Sequence, residues 1–112
     1  MIQFMVQHQY FLDIKKGIKI AEGRIAKIKY LSLKKDDEIE FVSNKTNEVI
    51  KAKVIKINKY NSFKEMLLKE GLKYMLPDID NLTLGINEYN SFGDYKKEVN
   101  KLGCVAIKFR LS

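Results

Sequence analysis

The run Glu48–Tyr60, EVIKAKVIKINKY, is the longest regular pattern in the chain and the tightest constraint on its fold. Apolar residues alternate with lysines at the two-residue period of an extended strand. One parity holds Val49, Lys51, Lys53, Ile55, Ile57 and Lys59, and the other holds Ile50, Ala52, Val54, Lys56 and Asn58. The apolar residues therefore change sides midway. A straight strand with one buried face cannot do this, because its side chains repeat strictly every two residues. The switch is expected where a strand bends around a barrel, so this run predicts a small curled sheet.

The flanking segments supply partners. Residues 2–7, IQFMVQ, read as a first strand, and YFLDIKKG as a two-turn helix with Tyr10 or Phe11 facing the same way as Ile14. Gly17 fits the positive-φ residue that ends such a helix. IKIAEGRIA reads as a strand with an irregular centre at Gly23, marking a bulge or a close backbone approach. A Lys-Asp-Asp turn precedes the strand EIEFV, and SNKTNE closes a hairpin. SFKEMLLKEGLKYMLPD carries a capping-box pattern at Ser62 and Glu65, an apolar side of Phe63, Met66, Leu67 and Leu68, a stop at Gly71 and a turn at Pro77. In NLTLGINEYNSF, Thr83 is the expected N-cap, with Ile86 and Tyr89 at helical spacing, and GDYKKEVNKLG is a polar connection or short helix. CVAIKFRLS closes the chain as a strand able to pair with the first. Strands separated by short helices make this an α+β chain, and 112 residues suit one domain spanning 1–112.

Chemistry is limited by what the chain lacks. It has one histidine, His8, and one cysteine, Cys104, the latter inside the apolar run GCVAI, where it reads as a buried small hydrophobe. No spaced cluster of metal ligands, phosphate-cradling glycine loop or nucleophile elbow is present, so neither metal nor cofactor is expected. No apolar run approaches the roughly 18 residues of a membrane span, and the N-terminus lacks the features of a secretory signal. A cytoplasmic location is the corresponding expectation. The net charge of +7 favours encounter with polyanions, although lysine is also the ordinary solvated residue of a surface.

One stretch concentrates polar function. GIKIAEGR, residues 17–24, holds Lys19, Glu22 and Arg24, and only two of the 21 basic residues, Arg24 and Arg110, are arginines. Glu22 and Arg24 are two apart and share a strand face, while Lys19 is expected near a helix end on the rim of the sheet. Such a set reads either as a surface ion pair worth about 0–1 kcal/mol or as a constellation for a nucleobase edge, a phosphate or a small catalytic step. Tyr60, Phe63, Tyr74, Tyr89, Phe92 and Tyr95 are candidates for a base-stacking surface, most of them equally suited to core packing; Tyr60 and Tyr95 fall outside any clear periodicity.

The run YFLDIKKGIKIAEGRIA resembles the opening of ASCH domains, small PUA-like domains whose signature is a short helix followed by Gly-x-Lys-x-x-Glu-x-Arg. Gly17, Lys19, Glu22 and Arg24 meet it. The similarity continues through KKDDEIEFV, KYNSFKEML, Pro77, the stretch bearing Tyr89 and Tyr95, and GCVAIKFRLS. It implies a PUA-like (ASCH) mixed β-barrel with short helices packed at its ends and a cleft lined by Lys19, Glu22 and Arg24. It also implies RNA or a nucleotide or nucleoside as partner, with Tyr60 and Tyr95 as further contacts. One branch of the family deacetylates N4-acetylcytidine. There the lysine and arginine match Lys19 and Arg24, a threonine stands where this chain has Glu22, and the catalytic glutamate falls near Asp80, with Asp78 or Glu65 as alternatives. An amidohydrolase reading would thus use Lys19, Glu22, Glu65 and Asp80, and a third reading is a protein-interaction domain with no ligand site. Two departures from the family pattern bear on the backbone. Asp36 stands where a glycine is usual, so that turn is expected to differ, and Gly23 stands where a hydrophobic residue is common.

Overall fold

The computed structural model describes residues 1–112. The element order is β1 (Ile2–Val6), α1 (His8–Lys15), β2 (Ala21–Ile25), α2 (Ile28–Leu31), β3 (Glu38–Ser43), β4 (Val49–Tyr60), α3 (Phe63–Glu70), α4 (Leu72–Met75), α5 (Leu82–Asn90), α6 (Tyr95–Leu102) and β5 (Cys104–Leu111). The five strands form one mixed sheet in the order β1-β3-β4-β5-β2. It is an α+β fold in which the sheet curls without closing, a half-barrel flanked by short helices. The expected pairing of the first and last strands does not occur. β1 pairs in parallel with β3, whereas β5 lies between β4 and β2, so β1 and β2 are the two edges of an open seam.

The curl is written into β4. Its register with β5 is broken between Val54 and Lys56, leaving Ile55 as the extra residue of a bulge. Before the bulge Ile50, Ala52 and Val54 pack in the first core; beyond it Ile57 does, while Ile55 is exposed. One inserted residue moves the inward set from even to odd positions, which is the face switch seen in the sequence.

β5 serves two cores. Val105, Ile107 and Phe109 join Phe4, Phe11, Ile14, Ile39 and Phe41 on one face. Cys104 and Ala106 on the other face meet Phe63, Met66, Leu67 and Tyr89 from the helices. A strand buried on both faces loses the apolar–polar alternation, hence the continuous run CVAI.

Local chemistry sets the ends of the elements. Gly17 and Gly71 take φ of 77° and 99° after α1 and α3. Ser62 Oγ accepts from Glu65 N at 3.1 Å, while the Glu65 carboxylate accepts from Asn61 N rather than from Ser62. Leu68 is exposed and adds nothing to the apolar side of α3. The N-cap of α5 is Asn81, not Thr83: Asn81 Oδ1 accepts from Leu84 N at 3.2 Å, and Thr83 already lies inside the helix. The Asp36 turn keeps the conformation that a glycine favours, with φ of 72°. Aspartate is one of the few L-residues that visits this region.

Candidate functional site: a cleft at the open seam

A cleft of about 400 Å³ opens where the edges β1 and β2 face each other, with residues of α1, α5 and α6 around it. Lys19, Glu22, Gly23 and Arg24 line one side. Glu22 and Arg24 share a face of β2, opposite Ile107 and Val105 of β5, as their spacing requires.

Glu22 lies between two cations. Its Oε1 is 3.3 Å from Lys19 Nζ, and its Oε2 is 2.8 Å from both Nε and Nη2 of Arg24. Burial alone would raise the Glu22 pKa, but Arg24 and Lys19 outweigh it and hold the carboxyl below the usual range. The Arg24 guanidinium, correspondingly, is raised by Glu22 against the effect of burial. Its Nη2 donates to Met5 O of β1 at 3.1 Å, and its Cζ stands 5.0 Å from the centre of the Phe4 ring. A planar cation held by a carboxylate, a carbonyl and an aromatic face has its orientation fixed before any ligand arrives.

Lys19 is not on the rim. Its side chain is 1% exposed, and Nζ donates to Ala21 O at 2.9 Å and to Met75 O. With Glu22 as third neighbour, all three ammonium donors are engaged within the protein. Burial lowers the Lys19 pKa, and Glu22 offsets part of that. This lysine joins the start of β2 to α4, alongside the bond from Ile20 N to Tyr74 O at 3.0 Å.

The other walls are aromatic. Tyr10, Tyr89, Phe92 and Tyr95 line the cleft. The Tyr10 hydroxyl donates to Glu88, and its ring centre lies 5.4 Å from Lys19 Nζ. Tyr89 stacks on Phe63 at 5.0 Å and meets Phe92 edge-on at 6.0 Å. Its hydroxyl is buried with no hydrogen-bond partner. That hydroxyl explains Gly23: a Cβ there would stand 2.6 Å from it and 2.9 Å from Met66 Cε. The ladder runs through Gly23 without a register break, so of the two readings of this glycine the close approach holds and the bulge does not.

Of the residues singled out in the sequence, Lys19, Glu22, Arg24 and Tyr95 come together here. Tyr60 does not: its hydroxyl donates to Glu70, beside the bond from Asn58 Nδ2 to the same carboxylate at 2.8 Å. Glu65 belongs to the start of α3, and Asp78 and Asp80 are exposed in the turn after α4; none of these lines the cleft. Tyr89 and Phe92, members of the aromatic group marked in the sequence, also line the cleft, whereas Tyr10 shows in the sequence only as helical spacing, which reads as ordinary packing. His8 lies outside the cleft, its Nδ1 2.8 Å from Ser43 Oγ. No group of three or more His, Cys, Asp or Glu side chains is placed to hold a metal ion, and no helix is long and apolar enough to cross a membrane.

Fold and site together define an open-barrel domain of the PUA-like class, with a charged and aromatic cleft at its seam. The ASCH domain model matches residues 4–112, and the chain belongs to the ASCH domain family. It is similar to hypothetical protein PH0355, known from a crystal structure, at 35% identity over 98% of this chain and 97% of that one, with a TM-score of 0.87. It is equally similar in sequence to protein PF0455 from Pyrococcus furiosus, known from a solution NMR structure, at 35% identity over 98% and 96% of the two chains, with a TM-score of 0.77. No curated protein matches the chain.

Proposed function

We propose that this domain binds RNA or a nucleotide, with the seam cleft as its recognition site. The observation that carries this reading is the guanidinium of Arg24. It is oriented by Glu22 and by Met5 O at the side of an aromatic-lined cleft, and its Nη1 makes no hydrogen bond within the protein. Fixed donors beside flat apolar walls suit a planar base carrying polar edges. The net charge of +7 supports encounter with a polyanion. Binding is favoured over deacetylation because Lys19 is engaged by two carbonyls and Glu22, while Glu65 and Asp80 stand outside the cleft. A purely protein-binding role fits less well, since Glu22 and Arg24 border a concavity rather than an open face.

The test uses the only two arginines. Fluorescence anisotropy with single-stranded RNA oligonucleotides, at salt high enough to suppress generic lysine contacts, is expected to show about tenfold or greater loss of affinity for Arg24→Ala. Arg110→Ala, on exposed β5 surface, should change little. Equal affinities for the two variants, with circular dichroism showing both folded, would remove the cleft from the proposal. Turnover of N4-acetylcytidine by the wild-type protein would overturn a binding-only role.

A further inference from the structure

Three observations converge on Gly23. β2 is an edge strand, so one side of its backbone has no strand partner. Ala26 N donates to Gly103 O at 3.1 Å and Phe109 N to Ile20 O at 3.2 Å, so the even-numbered residues carry the ladder with β5. Ala21, Gly23 and Ile25 therefore turn their N–H and C=O toward the free edge. The Ala21 carbonyl accepts from Lys19 Nζ, and the Ile25 carbonyl accepts from Lys27 N at 2.7 Å. Gly23 alone keeps an uncapped carbonyl there, on a buried residue that lines the cleft.

The second observation is the orphan hydroxyl of Tyr89, on a residue 2% exposed and beside Gly23. Its ring is held by Phe63 and Phe92, so the hydroxyl cannot swing to another acceptor. Buried polar groups left without partners cost stability, and a cleft that assembles several of them has the form of a site awaiting a ligand's own polar atoms. The third is charge. The ammonium of Lys19 is spent internally, Glu22 and Arg24 neutralise each other, and Asp94 and Glu98 line the same cleft. That balance makes a poor host for a phosphate.

We infer that Gly23 and Tyr89 read the base of a nucleoside, and that the cleft takes this uncharged end rather than the phosphate. The inference rests on the nucleotide-binding reading above and names which part of the ligand enters. The N–H and C=O of one extended residue lie side by side and match the adjacent acceptor and donor on the polar edge of a heterocyclic base. The Tyr89 hydroxyl supplies a third bond of either sense. Arg24 remains at the side, free to reach a base oxygen or a sugar.

Isothermal titration calorimetry with the four common ribonucleosides and their 5′-monophosphates tests this on the wild-type protein and on Tyr89→Phe, which deletes only the hydroxyl. The expected result is that at least one nucleoside binds, that its monophosphate binds within about threefold of it, and that Tyr89→Phe weakens both about tenfold without lowering Tm. A monophosphate bound far more tightly than its nucleoside overturns the inference, as does a nucleoside affinity untouched by Tyr89→Phe. Failure of every nucleoside to bind overturns it as well, even where RNA affinity still depends on Arg24; the Arg24 comparison decides the broader reading separately.

Discussion

Glu22 and Asp13 are both buried carboxyl groups, and their surroundings push them in opposite directions. Glu22 is held ionised by two cations, so its stabilisation is present above the unfolded pKa and is lost as pH falls through the lower folded one. Asp13 has no such partner. Burial, and then the neighbouring Asp78 carboxyl, push it up to about 6 from 3.8. Its Oδ2 is buried with no hydrogen-bond partner, while its Oδ1 accepts from Gln9 Nε2 at 3.3 Å. The folded chain therefore binds a proton at Asp13 more tightly than the unfolded chain, and the Asp13 penalty present above pH 6 is relieved as pH falls toward 4. Asp13→Asn, which is neutral at every pH, is expected to be more stable than wild type by about 1–3 kcal/mol at pH 7.5, with the gap shrinking at pH 5. Urea midpoints at the two pH values measure it, and a gap that does not move would show that Asp13 is not raised into this range. Sequence disclosed part of this chemistry. The Glu22–Arg24 pair was legible because strand parity alone places both on one face. The burial of Lys19 was not, because it depends on the carbonyl of Met75, far away in the chain.

Elements were most legible where a local rule decides them. The parity switch in β4, the Gly17 and Gly71 stops and the Ser62 cap all follow from short-range geometry, and the structure has each of them. Where two polar residues compete for one role, spacing alone could not choose. Asn81 and Thr83 both suit an N-cap, and the helix starts at Leu82 because Asn81 holds the extended backbone and accepts from Leu84 N. The short α2 leaves no mark in the sequence, since four residues give no periodicity. The choice of cap matters beyond α5, because that helix carries Tyr89 to the cleft. Asn81→Ala is expected to cost about 1 kcal/mol of stability, while Thr83→Ala changes it by less than about 0.5 kcal/mol, as for an exposed helical site. Thermal or denaturant unfolding of the two variants distinguishes them; a larger loss for Thr83→Ala than for Asn81→Ala would return the cap to Thr83.

For the whole molecule, the governing fact is that the sheet stops short of closure. The curl was foreseeable from β4, but the open seam was not, because pairing of β1 with β3 rather than β5 is decided by contacts between distant strands. Across that seam the two edges share no strand ladder. Arg24 bridges them instead, bound to Glu22 on its own strand, to Met5 O on β1 and against Phe4. The same side chain is thus a recognition group and a strap between the edges. This dual role has a spatial signature. Local opening involves the parts with fewest shared contacts, and removing the strap frees the edge strands while leaving β3, β4 and β5 in their mutual ladders. Hydrogen exchange of Arg24→Ala is therefore expected to quicken at β1 and β2 amides by about tenfold or more, equivalent to about 1.4 kcal/mol of lost local protection, with central-strand amides slowed or hastened only as far as global stability changes. Saturating the cleft of the wild-type protein with ligand should act in the opposite sense, protecting β1 and β2 together, because anything held between the edges favours the closed seam. Uniform acceleration along all five strands would mean that Arg24 supports the fold as a whole and does not act as a strap at the seam.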